Sequence, residues 1–233
     1  MARGRRRDSL DEAHVEFVGM LHEARRALAS ALAARLGEVD VAVACAEVAE
    51  LEQRADAAEI RLRRRLLVHA TVHGAGDIPA CLTYMSIGKD AERITDLALG
   101  LCRIAERAGR PSTPVREDLA SLGRTVLSVL DDVPDVIEAE NADAARALIK
   151  QARAAQEACS ARLDDVIRGE SGDAVPNAAQ AGDATGGWSR PPEQPVALAL
   201  TYRHLGRVAA NALNIVSSVV VPLDRLDYPE SQD

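Results

Sequence analysis

Aromatic residues are scarce in this chain of 233 residues and make up only 2% of it. A β-sandwich or β-barrel of this size draws heavily on aromatic and β-branched residues, so the composition argues against an all-β fold. Ala, Leu, Arg and Glu are abundant instead, and all four are strong helix formers. The composition therefore predicts an all-α protein.

Long apolar runs and paired cysteines are also lacking. No stretch approaches the roughly 20 apolar residues of a transmembrane helix. The basic start at 1–7 has no apolar segment behind it, so it is no signal peptide and is interpreted as a solvated tail, with contact to a membrane surface as the alternative. The cysteines form no CxxC pair, which predicts free core thiols in a cytoplasmic protein. These are Cys45, Cys81, Cys102 and Cys159.

Excess positive charge and known catalytic motifs are missing as well. A net charge of −8 argues against nucleic-acid binding. The sequence contains no P-loop, GxGxxG or GxSxG motif, so it offers neither a nucleotide cradle nor a nucleophile elbow. His14, His22 and His204 lack a Glu three residues before them, so the Glu-x-x-His signature of di-iron bundles is absent. We therefore predict that the protein is not an enzyme and holds no nucleotide.

Apolar spacing and capping residues predict six helices. Their expected limits are about 9–36, 40–73, 77–108, 114–139, 142–168 and 195–226. Asp40 and Asp77 are expected to cap the second and third helices. Pro134 should kink or shorten the fourth, because proline removes a backbone donor.

The order of the helices indicates two groups of three, joined by a Gly- and Pro-rich linker at 109–114. The string Leu82-Thr83-Tyr84 recurs as Leu200-Thr201-Tyr202, and Gly follows four residues after each Tyr. This similarity indicates a duplicated unit. We therefore predict two tandem three-helix bundles of antiparallel helices, at 1–110 and 111–233. Low apolar content predicts a disordered loop at 169–195 in the second.

Acidic residues are spaced four apart on two helices, as Glu52 and Asp56 on the second and Glu92 and Asp96 on the third. This spacing puts both carboxylates of a pair on one helix face. In an antiparallel hairpin the two pairs differ in level by about two residues, which is only about 3 Å. Where the faces agree, four carboxylates converge between the helices, and Glu59 could join them.

Converging carboxylates repel one another and need a source of positive charge. A bound cation is one source, and oxygen ligands without Cys or His suit iron, manganese, magnesium or calcium. The alternative is a solvated ridge on which Arg54, Arg61 and Arg93 pair with the acids. The sequence leaves both open.

Two further clusters lie near the end of the second helix. The arginine-rich run at 61–65 could bind an anion, although a solvated helix face is the more common role of such a run. His69 and His73, with Asp77 across the turn, could form a minor metal site. Interaction with the negative end of the helix dipole is the simpler explanation for these histidines.

The segment DAERITDLA, which begins at Asp90, resembles the hallmark of the PhoU family, roughly DLERIGDxA. Ala91 and Thr95 replace the usual Leu and Gly. The resemblance implies two repeats of a three-helix bundle, with an acidic motif on paired helices of each repeat that binds iron or another divalent metal. It also implies that Glu52 and Asp56 form the motif of the second helix.

The second repeat departs from the family pattern. In one register Gly206 and Ala210 stand where the carboxylates belong, and in the register of the Leu-Thr-Tyr repeat Ala210 and Asn214 do. Gln151 and Ala155 lie near the partner positions of the fifth helix. We therefore expect a single metal site in the first repeat, formed by the five acids named above.

The resemblance implies a regulator that restrains phosphate uptake and phosphate-starvation signalling. Its partners would be the ATPase of the phosphate ABC transporter and a sensor histidine kinase, and the metal would modulate these contacts. One alternative is a helical scaffold with a vestigial metal site. Another is a carboxylate-bridged metalloenzyme acting on phosphoesters or oxygen, against which the missing nucleophile and histidines weigh. The sequence leaves the oligomeric state open, including a homodimer.

Overall fold

The computed structural model describes residues 2–169 and 193–221, and all regular structure in these ranges is helical. The helices are α1 (Ala2–Leu36), α2 (Val41–His73), α3 (Ile78–Ala108), α4 (Thr113–Ala139), α5 (Ala142–Arg168) and α6 (Glu193–Ser217). A single 3-10 turn at Ala75–Asp77 lies between α2 and α3. The predicted all-α fold class is confirmed.

Helices α1, α2 and α3 pack against one another as one three-helix bundle, and α4, α5 and α6 form a second. The two bundles meet where α3 packs along α6 and α1 packs along α4. One continuous apolar core runs through both bundles. Fully buried alanines on α1, at Ala24, Ala27 and Ala31, let neighbouring helices approach closely. The placement of a domain boundary at residue 110 stays a prediction.

The two predicted caps behave differently. Asp40 caps α2 as expected, because its Oδ1 accepts a hydrogen bond from Val43 N at 3.0 Å. Asp77 stands at the N-cap position of α3 but makes no capping hydrogen bond. Its Oδ2 lies 3.0 Å from His69 Nε2 instead. The predicted capping role of Asp77 is therefore wrong, since a tertiary contact takes its carboxylate.

Three expectations about the helices differ from the structure: the start of α1, the effect of Pro134 and the end of α6. The basic start is helical from Ala2 rather than a tail, in keeping with the helix propensity of Ala and Arg. Pro134 lies inside α4 without shortening it, and buried neighbours such as Val133 and Ile137 hold it in the core. Helix α6 ends at Ser217 instead of continuing toward residue 226. The β-branched run at 219–221 and the proline after it both disfavour further helix.

The loop predicted at 169–195 lies for the most part outside the described residues, which stop at Gly169 and resume at Glu193. Its last three residues belong to α6. All four cysteines are free and buried, as expected. Among the described residues, no helix is both long and apolar enough to cross a membrane.

Candidate functional site

The five predicted acids lie on the two helices that form the hairpin of the first bundle. Three of them are on α2 and the other two are on α3. They flank the buried stripe of α2, which includes Leu51, Ala55 and Leu62. Asp56 and Asp96 are exposed, whereas Glu52, Glu59 and Glu92 are half-buried. We call these five residues the acidic cluster.

Mutual repulsion shows that the members of the acidic cluster face one another across the hairpin. Burial, followed by the charges of Glu59, Asp56 and Asp96, raises the pKa of Glu92 to about 7, and the opposing effect of Arg93 is smaller. Burial and the charges of Asp56 and Asp96 also raise the pKa of Glu52. Carboxylates from both helices therefore repel one another, and the pKa of Glu92 lies close to neutral pH.

These side chains do not already form a coordination shell. Within residues 2–169 and 193–221, no three His, Cys, Asp or Glu side chains are gathered as a set of metal ligands. The exposed pair, Asp56 and Asp96, can change rotamer at little cost because neither is packed in the core. The arrangement is a negatively charged patch across α2 and α3 whose exposed members a cation could bring closer together.

The arginines expected to neutralise the cluster pair elsewhere. Nε of Arg54 lies 3.2 Å from Glu23 and Nε of Arg61 lies 2.6 Å from Glu16, so both arginines face α1. Nη1 of Arg93 lies 3.8 Å from Asp90. Arg54 and Arg61 therefore do not pair with the acidic cluster, whereas Arg93 has a weak effect on the pKa of Glu92. The physical reason is that α1 offers Arg54 and Arg61 nearer carboxylates across its contact with α2.

Glu59 is the member of the acidic cluster with an arginine directly beside it. Its side chain is only 13% exposed, and Arg63 Nη2 lies 2.6 Å from its Oε1. The two groups are not aligned for a hydrogen bond, so this buried oxygen accepts none from any described residue. A buried oxygen without a donor is destabilising. The charge of Arg63 offsets part of this cost, and a bound cation would compete with Arg63 for the oxygen.

The arginine run at 61–65 and the histidine pair also have structural roles. Arg65 pairs with Glu12 and Glu16 of α1, which extends the ion pairs between α1 and α2. His69 is buried, and both of its ring nitrogens have partners, Ser9 Oγ at 2.5 Å and Asp77 Oδ2 at 3.0 Å. A metal at His69 would have to displace both contacts. His69 instead ties the start of α1 to the α2–α3 turn.

Sequence reasoning missed an exposed apolar surface at the turn end of the first bundle. The apolar ridge consists of Ile60, Leu67, Val68 and Val72 on α2 with Ile78 and Leu82 on α3, which are between 41% and 68% exposed. The signal was available, because Leu67 and Val68 follow the core residue Leu66 and fall on the opposite helix face. Arg64 lies within the ridge on the same outward face.

Among the described residues of α5 and α6, no counterpart of the acidic cluster stands at the positions equivalent to it. A Cβ on Gly88 would lie 2.7 Å from Leu62 of α2, and a Cβ on Gly206 would lie 3.1 Å from Cys159 of α5. Both glycines therefore allow the third helix of a bundle to approach the second. This equivalence supports the register of the Leu-Thr-Tyr repeat, in which Ala210 and Asn214 occupy the acidic positions.

Comparisons with known proteins agree with this architecture. The family model described as the PhoU domain matches residues 17–108. The crystal structure of PhoU from Pseudomonas aeruginosa is similar with a TM-score of 0.75 at 17% identity, over 94% of this chain and 98% of that chain. The phosphate transport system regulatory protein PhoU from Streptococcus pneumoniae is similar with a TM-score of 0.73 at 17% identity, over 96% of this chain and 97% of that chain.

A search of the curated proteins finds no match. The family match spans most of the first bundle and includes every residue of the acidic cluster. The structural matches extend over both bundles. Residues 17–108 therefore match the PhoU domain and the chain has the fold of PhoU proteins, which confirms its resemblance to the PhoU family.

Proposed function

We propose that this protein is a non-enzymatic regulator of phosphate uptake that acts by contact with other proteins. The observation that carries the proposal is the PhoU-domain match over residues 17–108, since this family implies regulation of phosphate uptake. The partners we propose are the ATPase of the phosphate ABC transporter and a sensor histidine kinase. Contact with these proteins would place the protein in the cytoplasm.

The apolar ridge is the surface we propose for this contact. Leu67 is 63% exposed and Val72 is 68% exposed, and both lie on the outer face of α2. Clustered exposed apolar residues with charged neighbours are typical of protein interaction sites. Arg64 adds a positive charge, and no described side chain pairs with it. The ridge therefore fits a partner surface that combines apolar residues with a carboxylate, and we assign it to the transporter ATPase.

Loss of the ridge should abolish the restraint on phosphate uptake without unfolding the protein. The test compares Leu67→Ser/Val72→Ser with Val43→Ser, which changes a 70% exposed residue at the opposite end of α2. In a deletion strain at high phosphate, the control should restore restraint and the double variant should not. Equal restraint by both variants would refute the assignment of the ridge. Loss of a dimer in the double variant would assign the ridge to a second copy instead.

We also propose that the acidic cluster holds one divalent cation, with iron, manganese or magnesium as candidates. The donor set fits such an ion because it consists of carboxylates, whose mutual repulsion a cation would relieve. The bound ion would lower the pKa of Glu92 and bridge α2 to α3. Its contribution in this proposal is to rigidify the bundle that carries the ridge.

Cation binding is tested on the full chain by calorimetric titration with Mn²⁺. Wild type should bind with saturation, and Glu59→Gln/Glu92→Gln should bind at least about tenfold more weakly, since losing two ligands removes most of the site. Glu50→Gln, an exposed acid on α2 outside the cluster, serves as the control. Equal binding by the double variant and the control would exclude the acidic cluster as the site.

The scaffold alternative is separated from the regulator by full deletion. A regulator should release phosphate uptake and starvation-gene expression at high phosphate when it is removed. If both stay unchanged, the chain is a helical scaffold with a vestigial metal site. We favour the regulator over a carboxylate-bridged metalloenzyme because the sequence lacks the Glu-x-x-His signature and a nucleophile elbow.

A further inference from the structure

Arg35 is a buried positive charge at the junction of the two bundles. It lies in the last turn of α1 and is only 1% exposed. Its Nη1 donates to the carbonyl oxygen of Gly109 at 2.8 Å, and its Nε donates to Thr201 Oγ1 at 3.2 Å. The guanidinium thus touches the first bundle, the linker between the bundles, and α6 of the second.

The charge of Arg35 has no compensating carboxylate among the described residues. Both of its hydrogen-bond acceptors are neutral, and Nη2 is buried with no partner. Burial is the dominant effect on the group and lowers its pKa, while Tyr202 opposes it weakly. The partial negative charge at the end of α1 offsets only a small part of this desolvation. A guanidinium stays protonated at neutral pH, so the site retains a full unbalanced charge.

A second unpaired arginine lies at the same corner. Gly37 follows Arg35 by two residues, and a Cβ on it would lie 3.0 Å from Arg110 Cδ and 3.1 Å from Arg110 Nε. No described side chain forms an ion pair or hydrogen bond with Arg110. Gly109 and Arg110 are both exposed, so the buried guanidinium lies one residue layer below the surface.

We propose that Arg35 and Arg110 bind a small oxyanion, with inorganic phosphate or sulfate as the chemical class, at the junction of α1, the linker and α6. An oxyanion accepts charge-assisted hydrogen bonds from guanidinium groups and can take the free N–H donors of Nη2. Because Arg35 is only 1% exposed, we expect a small free ion to reach it more readily than a nucleotide or a lipid headgroup. The bound ion joins the two bundles by neutralising the charge between them.

The experiment is thermal unfolding of the full chain at constant ionic strength, with chloride replaced stepwise by phosphate, sulfate or AMP. Phosphate or sulfate should raise the Tm of wild type with saturation, by about 3–6 °C at ten times the Kd. AMP should have no such effect. Arg110→Gln changes an exposed residue and should bind at least about tenfold more weakly, as judged by the midpoint of the Tm titration. Arg124→Gln, an exposed arginine on α4, is the control.

Isothermal titration with phosphate and with sulfate gives a second measurement that does not depend on thermal unfolding. Saturable binding of either ion, weakened in Arg110→Gln and unchanged in Arg124→Gln, supports the proposal. Absence of saturable binding of both ions overturns it, as does equal binding by Arg110→Gln. An AMP effect as large as that of phosphate overturns the assignment to a small free ion. Because no residue of the acidic cluster is changed, these outcomes are independent of the metal proposal.

Discussion

The free energy of unfolding of wild type should fall as the pH rises through 7, and replacing Glu92 by Gln should remove this fall. Burial and the charges of Glu59, Asp56 and Asp96 raise the pKa of Glu92 from its ordinary 4.5 to about 7. The folded state therefore favours the protonated form. The resulting stabilisation is fully present below pH 4.5 and is lost as the pH rises through 7. Gln has the shape of a protonated Glu and no charge to lose.

The magnitude follows from the size of the shift. The difference 7 − 4.5 is 2.5 pH units, which at about 1.36 kcal/mol per unit gives an upper limit of about 3.4 kcal/mol. Because Glu92 is only half-buried, solvent screening reduces the expected effect to about 1–2 kcal/mol. For a chain of this length that corresponds to a Tm difference of roughly 2–8 °C.

The assay is urea unfolding at pH 5 and pH 8 with a metal chelator present, followed by circular dichroism. Between these pH values, Glu92→Gln should gain about 1–2 kcal/mol relative to wild type. Glu50→Gln removes an exposed acid of α2 outside the acidic cluster and should follow wild type. The reasoning fails if Glu92→Gln and wild type have parallel pH dependences, or if Glu92→Gln is the less stable protein at pH 8.

Three further predictions concern packing and burial. Gly88→Ala should be about 1–3 kcal/mol less stable than Gly19→Ala in urea unfolding. Both variants gain helix propensity, but only the new methyl group at position 88 meets Leu62. Equal stabilities would contradict the close α2–α3 contact. Tyr202→Phe should cost about 1–2 kcal/mol, because the hydroxyl donates to Asp118 Oδ2 at 2.8 Å, and a cost near zero would argue against this bond. All four cysteines should resist Ellman's reagent in the native protein and react after denaturation, because each is buried; rapid native labelling would contradict their placement in the core.

Much of the fold could be predicted because it depends on local properties of the chain. Helix propensity, apolar spacing and the Gly- and Pro-rich breaks fixed the number and order of the helices, and five of the six predicted C-terminal ends agree with the structure. The errors arose where distant packing outweighs local preference. Pro134 is tolerated in α4 because it packs in the core, and Asp77 gives up its capping role for His69.

The sequence predicted which acids belong to the candidate site, but not which arginines pair with them. Spacing of four residues put the acids on shared helix faces, and their level in the hairpin brought both pairs to the same height. Which arginines would neutralise them depended on α1, whose Glu16 and Glu23 take Arg61 and Arg54 away from the acidic cluster. The spacing of residues on α2 and α3 does not show which charged residues α1 places beside them.

The sequence by itself determined an all-helical duplicated chain with one acidic motif pair and a second repeat without it, because these properties follow from residue type and short-range spacing. Only the tertiary structure decided the equivalence of Gly88 and Gly206, the exposure of the apolar ridge and the burial of Arg35. Each of these depends on which helix faces meet when the two bundles pack. That choice is set by the summed burial of many side chains across both bundles and leaves no local mark in the sequence.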